Sequence, residues 1–285
     1  MPAYAQAYTG HSELLMIHRL FTFLLATLAT LPCAVAVPTK PDANLLRLHQ
    51  VQLATQGALG DFYLMYGVDP DPTHAQSMEL RIQTATRNLA GMAELPGTNS
   101  STLLTQLEQQ WRAYVQLLSG LTGELQRQGS TSGGDIAELV SLNRQLVTLC
   151  RSLEVSLRQE SPLPPPRLAE QSRNLSLLMQ NIATDYIAHS VGANSLGGDG
   201  KALDAQAEEF ATRLATLQDH PEQPAEARQA LADIARKWRY IEPSLKHYNE
   251  AAVPSLVNRY SARIIEELTQ LETSSSVPAP DSSGR

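Results

Sequence analysis

The chain reads as all-α: two tandem four-helix, up-and-down bundle units that follow a cleaved signal peptide. Three observations predict this. Apolar residues recur at three- and four-residue steps through most of the 285 residues, the spacing that lines one face of a helix. Hydrophobic residues make up 42% but aromatics only 5%, so a core must come from aliphatic side chains, and the Leu-, Ala- and Gln-rich mix favours helices. Short motifs also occur twice in the same order. Gln109-Gln110-Trp111-Arg112-Ala113-Tyr114 is echoed by Arg236-Lys237-Trp238-Arg239-Tyr240-Ile241, and Leu142-Asn143-Arg144 by Val257-Asn258-Arg259.

The N-terminal segment carries export signals. Met16-Ile17-His18-Arg19 supplies a start and a basic residue, and Leu20 to Leu31 is an apolar run shorter than the roughly 20 residues a bilayer span needs. Ala34-Val35-Ala36 fits the small-x-small cleavage rule, so residues 1–36 read as a secretory signal peptide and the mature chain as periplasmic. Met1 to Leu15 lack signal character, which makes Met16 a second candidate start. A retained anchor is the rival reading; Pro32 and the short apolar core oppose it. Pro32 also stands where a lipoprotein signal needs a small residue before Cys33. Cleavage leaves Cys150 as the one cysteine, on an apolar helical stripe, which points to a buried, inert thiol.

The first unit, residues 44–160, starts with a helix from Leu45 that ends near Gly67, before Asp69-Pro70-Asp71-Pro72. A second helix runs from Thr73, a candidate cap, to Leu95, with Pro96-Gly97 as the stop. Ser100 or Ser101 caps a third, which passes through Trp111 and Leu118 to Gln128. Gly129 to Gly134 is a turn, and Asp135 caps a fourth helix with a stripe through Ile136, Leu139, Leu146 and Leu153. Ser161 to Pro166 separates the units. The second unit, residues 166–272, has a fifth helix over Arg167–His189, the loop Val191 to Gly200, and a sixth helix over Ala202–Leu217. After the turn Pro221 to Pro224 a seventh helix passes Trp238 and ends or kinks at Pro243. The eighth runs from Pro254 to Leu271, and residues 273–285 form a polar, Pro- and Ser-rich tail of disordered composition.

The units align in order. Gln56 and Asp61-Phe62 match Gln180 and Asp185-Tyr186 at an offset of 124; Ala75-Gln76 and Glu79 match Ala205-Gln206 and Glu209 at 130. The tryptophans differ by 127 and the Asn-Arg pairs by 115, so only loop lengths change between copies.

Several function classes are excluded. A net charge of −7 without a Lys/Arg cluster opposes nucleic-acid binding. The seven histidines make no His-x3-His or Cys–His spacing, so no metal is expected, and the lack of Cys-x-x-Cys-His excludes a c-type haem. Leu196 to Lys201 lacks the glycine and the preceding strand of a phosphate loop, and Asp69 and Asp71 lack the other ligands of a calcium loop. No nucleophile–base pair can be named. No cofactor and no enzymatic activity are expected.

The candidate site residues are polar groups on apolar helices. Asp61 and Asp185 each precede an aromatic, and a buried acid needs a partner; the matched Arg144 and Arg259 are the expected ones. Either each pair is structural, or the arginine meets an anionic ligand, with Tyr186, Tyr240 and Tyr260 lining the same cavity in the second unit. Trp111 and Trp238, each beside an arginine, are expected as core anchors rather than cation–π clamps.

The second unit resembles a known family. Gln171 to Ser190 (QSRNLSLLMQNIATDYIAHS), the tryptophan helix, and Val257 to Leu271 (VNRYSARIIEELTQL) look like the PilJ-type domain, the extracytoplasmic N-terminal domain of type IV pilus methyl-accepting chemotaxis transducers. The resemblance covers residues 166–272 and, more faintly, 44–158. It implies a four-helix bundle that senses ligands or partners outside the cytoplasm. Nitrate and nitrite sensor kinases carry a similar module. Here Arg173 to Asn181 keeps only the rhythm of the family's AGRQRMLSQR-like first helix and Gln180, and the paired arginines that hold an anion across a dimer are missing. No transmembrane helix, kinase or methylation coiled coil follows the domain, so a signal would pass through an inner-membrane receptor or transducer. The expectation is an exported, non-enzymatic sensor-like or adaptor protein that binds a small ligand, a membrane receptor or both. The alternative is a structural helical interaction protein without a ligand pocket. A third reading, a hydrolase, demands paired acids in a cleft or a histidine beside a nucleophile.

Overall fold

Among the described residues, proline and glycine positions mark off eight helices: α1 (Lys40–Gly67), α2 (Pro72–Gly91), α3 (Thr98–Gln128), α4 (Gly133–Glu160), α5 (Arg167–Ser190), α6 (Leu203–Gln218), α7 (Ala225–Lys246) and α8 (Pro254–Ser275). The computed structural model describes residues 40–68, 71–92, 95, 97–160, 164–193, 203–221, 223–248 and 252–275. Among these there is no strand, and no helix is long and apolar enough to cross a membrane. The signal segment with its cleavage point, Cys33, Asp69, the loop Leu196 to Lys201 and residues 276–285 lie outside the described residues.

Each expected helix is present, with local corrections at the ends. Asp71, not Thr73, caps α2: its carboxylate accepts from the Thr73 N–H at 2.8 Å, which holds the Asp71 carboxyl below its ordinary range. Helix α2 stops at Gly91 rather than Leu95, where Arg47 reaches across from α1 and donates to the Gly91 carbonyl at 2.5 Å. Gly97 occupies the cap of α3, and the Ser100 and Ser101 hydroxyls sit inside the first turn, donating back to its carbonyl at 3.0 and 2.8 Å. Asp135 likewise lies within the first turn of α4. Gly129 ends α3 at φ 70°, the left-handed conformation that glycine adopts without a Cβ clash. Pro243 does not end α7. One further turn follows it, closed by the His247 N–H on the Pro243 carbonyl at 3.0 Å. Helix α8 extends through Thr273 to Ser275, so those residues belong to the fold and not to the tail.

Packing follows chain order. Helices α1 to α4 surround one apolar cluster and α5 to α8 a second, each helix touching its chain neighbours and the ring closing through α1–α4 and α5–α8. Trp111, stacked on Tyr114 with ring centroids 5.7 Å apart, anchors the first cluster. Trp238, against Phe210 at 4.3 Å, anchors the second. Arg112 and Arg239 beside them point to solvent. Tyr114 and Asn143 both donate to the Thr55 carbonyl, at 3.3 and 3.2 Å, tying α3 and α4 to the middle of α1.

The two sets of helices are joined by α1 lying against α5. Gly60 permits that approach, since a Cβ there would meet the Thr184 hydroxyl at 3.3 Å and Ile187 at 3.7 Å. The Thr184 hydroxyl donates to the Gln56 carbonyl at 3.1 Å across the seam. Arg158 bridges the proline-rich connection, donating to Glu154 at 2.8 Å and to Glu170 at 2.7 Å.

Two outcomes follow from the packing. Trp238→Ala empties the Phe210 contact and should destabilise the fold by about 3–5 kcal/mol in urea denaturation. Cys150 is buried, and burial pushes its thiol up to about 12, so it should resist iodoacetamide until the protein is unfolded.

Candidate functional site

The seam between α1 and α5 carries a buried polar cluster that also draws in α8. Glu272, in the last turns of α8, is 0% exposed. Its carboxylate takes the Arg173 Nε–H of α5 at 2.7 Å on one oxygen and faces His49 Nδ1 of α1 at 2.5 Å on the other. His49 Nε2 lies 2.7 Å from the Ser176 hydroxyl, which itself donates to the Arg173 carbonyl at 2.8 Å. Arg173 Nη1 is buried with no hydrogen-bond partner among the described residues.

Ser176, His49 and Glu272 are thus connected in the order of a nucleophile–histidine–acid relay, the arrangement that sequence reading could not find. The surroundings differ from those of a hydrolase. All three side chains are buried, and none lines either of the two grooves that flank the seam. Ser176 sits in mid-helix, where neighbouring N–H groups are committed to helix hydrogen bonds rather than to an oxyanion. Arg173 occupies the same carboxylate. The cluster ties three helices together.

Two open grooves flank this seam. One, of about 580 Å³, lies between α4 and α6, with α1 and α5 as its floor. The other, of about 600 Å³, lies between α2 and α8 over the same floor. The sequence offsets map one lining onto the other. At 124, Gln50, Leu53 and Ala54 of the α2/α8 groove correspond to Asn174, Leu177 and Leu178 of the α4/α6 groove, and Gln180 to Gln56. At 130, Gln76 corresponds to Gln206; at 115, Ala262, Glu266 and Thr269 correspond to Val147, Arg151 and Glu154.

Their chemistry differs. In the α2/α8 groove Asp61 is withdrawn: it is buried and accepts from Ser77 at 2.7 Å and Arg81 at 2.8 Å. Its counterpart Asp185 is half-buried, accepts from the Gln206 amide at 2.9 Å and lines the α4/α6 groove. There the wall also carries two guanidiniums. Arg213 is paired with Glu209 at 2.5 Å, whereas Arg151 is exposed with no ion-pair partner among the described residues. The site is therefore rich in amides, with a carboxylate from α5 and an open guanidinium from α4. The buried Tyr63 hydroxyl records the convergence: burial raises its pKa most, the Asp185 charge raises it further, and Arg144 opposes.

The expected pairing of Asp61 with Arg144 and of Asp185 with Arg259 is not formed. Asp61 takes Arg81 from the next helix, Asp185 takes Gln206, and both arginines project outward at equivalent exposed positions. Nor do the five candidate residues share one cavity. Asp185 lines the α4/α6 groove. Tyr186 is buried, and its hydroxyl accepts from the Val253 N–H at 2.9 Å, holding the start of α8. Tyr240 and Tyr260 stack on each other on the outer side of α7 and α8, where Arg259 is also exposed. Glu272, His49 and Arg173 escaped notice in the sequence, although each falls on an inward stripe, a position where a charge needs a partner. No group of three or more metal-ligating side chains gathers among the described residues.

No family model, no curated protein and no solved structure matches the chain.

Removing the shared carboxylate leaves a guanidinium and an imidazole buried without it. Glu272→Ala should therefore destabilise the fold by about 3–5 kcal/mol in chemical denaturation, whereas the apolar triple variant H49L/R173M/E272L should recover most of that loss.

Proposed function

We propose that the chain is an exported, non-enzymatic sensor-like or adaptor protein that takes a small polar ligand in the α4/α6 groove. One observation carries this reading: the groove is open, polar and built from both sets of helices. Gln56 of α1 and Arg151 of α4 face Asp185 of α5 and Gln206 of α6 across it. A ligand with an acidic and a basic or hydroxyl group finds complementary partners there, and holding it changes the relation of one set of helices to the other. The two rings of helices and the mapped grooves support reading the fold as two tandem, diverged four-helix units. The resemblance of residues 166–272 to the PilJ-type domain supports an extracytoplasmic sensory role, and the N-terminal signal features support the periplasm. The message would leave through an inner-membrane receptor or transducer.

The test is a thermal-shift screen of the purified protein against anions, amino acids and small metabolites. A ligand specific to the folded state adds about 2.7 kcal/mol of stability at a hundredfold excess over its dissociation constant. A hit should disappear in Arg151→Ala while the unliganded melting temperature stays put, since that side chain is exposed. A blank screen would favour a structural helical interaction protein without a ligand pocket.

A further inference from the structure

We propose that the outer face of α7 and α8 around Tyr240 and Tyr260 is a docking surface for an acidic segment of a partner protein. Tyr240 is 57% exposed, and its ring lies 4.6 Å from that of Tyr260. The Arg263 guanidinium stands 5.9 Å over the Tyr260 ring. Arg259 lies one helical turn before Arg263 on α8, so the two share a stripe beside the tyrosines. Arg239, the residue before Tyr240, is exposed but turns to the α6 side of α7 and lies apart from this pair.

The core accounts for only part of this cluster: Tyr260 is half-buried against the second apolar cluster, whereas Tyr240 is not. The inward positions of α7 are filled by Ile234, Trp238 and Ile241, which leaves the Tyr240 ring outside the core. Three other cations of α7 have acids: Arg236 pairs with Asp233, Lys237 with Glu267 at 2.6 Å, and Lys246 with Glu242 at 2.8 Å; Arg228, in the first turn of α7, has none among the described residues. Arg239, Arg259 and Arg263 have no acidic partner among the described residues. Two unmatched guanidiniums, Arg259 and Arg263, beside the exposed Tyr240 and the half-buried Tyr260 form a basic, aromatic patch on a chain of net charge −7.

Tyrosine and arginine are the side chains that concentrate binding energy at protein interfaces, and a guanidinium fork takes a carboxylate through two parallel hydrogen bonds. Arg259 and Arg263, one turn apart, match carboxylates presented at the same spacing, and the tyrosine faces take an apolar side chain between them. The acidity of the rest of the molecule disfavours long polyanions and extended anionic surfaces, which would meet it, and favours a short segment. The surface is independent of the α4/α6 groove and would persist if that groove bound nothing.

The experiment is fluorescence anisotropy with the purified protein and a labelled, helix-forming peptide carrying paired glutamates one turn apart around a leucine. Its glutamine counterpart, a labelled single-stranded oligonucleotide and phosphatidylcholine–phosphatidylglycerol vesicles complete the set. The glutamate peptide should bind in a salt-sensitive manner and the glutamine peptide should not. Tyr240→Ala, and separately R259E/R263E, should each weaken binding by about tenfold or more while the melting temperature is kept. Equal binding of both peptides, no binding, indifference to the two variants, or a preference for the oligonucleotide or the vesicles would each overturn the proposal. A drop in melting temperature for Tyr240→Ala would assign that ring to the core and overturn it as well.

Discussion

A carboxylate buried where three helices meet sets the terms for the rest of the structure. Glu272 reaches from α8 into the contact between α1 and α5 and holds Arg173 and His49 there. Those two lie 124 residues apart, the offset at which Gln56 and Asp61 match Gln180 and Asp185. The counterpart of Glu272 on α4, at the offset of 115, is Leu157, so one carboxylate serves both. Ions without water are costly, and a paired cluster of this kind returns less stability than an apolar one of the same volume. What it contributes is register. Sliding α1 past α5 by one turn would strand a guanidinium and an imidazole in an aliphatic interior, and neither could recover its partner.

With the seam fixed, the grooves follow. The same two helices floor both, and the flanking helices, α4 with α6 and α2 with α8, form walls related by the sequence offsets. Equivalent backbones have been given different chemistry. Asp61 is closed off by Ser77 and Arg81, while Asp185 keeps a face in the groove; Arg151 stands where the other side has Glu266. Both linings carry charge, Arg81 and Glu266 in one and Asp185, Arg151 and Arg213 in the other, but only the α4/α6 groove presents a carboxylate from its floor.

The helices were legible because their signals are local. Three- and four-residue apolar steps and the Pro and Gly breaks act within a turn or two of themselves, so each element lies close to its expected place. Caps were less legible, because Asp71, Thr73, Ser100 and Ser101 are all able to close a helix end and the backbone selects among them. Pro243 was read as a stop because it lacks an N–H, yet the turn beyond it closes without one. Internal matching carried further than expected: the paired Asn143-Arg144 and Asn258-Arg259 led to correspondences along the groove walls. It misled at the arginines, since neither Arg144 nor Arg259 pairs with the aspartate expected for it. Ser176, His49 and Glu272 could not be joined from sequence, since they lie far apart in the chain and meet only once the two sets of helices are packed.

The tie between His49 and Glu272 also orders events in time. The two residues are separated by 272 − 49 = 223 positions, so the earliest helix of the fold waits for the eighth. As the polypeptide emerges, α1 to α4 can close around their own apolar cluster, and α5 can approach α1. Until the last turns of α8 arrive, that approach buries His49 and Arg173 without their carboxylate. The seam therefore closes last, and a nascent chain interrupted before Glu272 would hold two helical sets that cannot settle against each other.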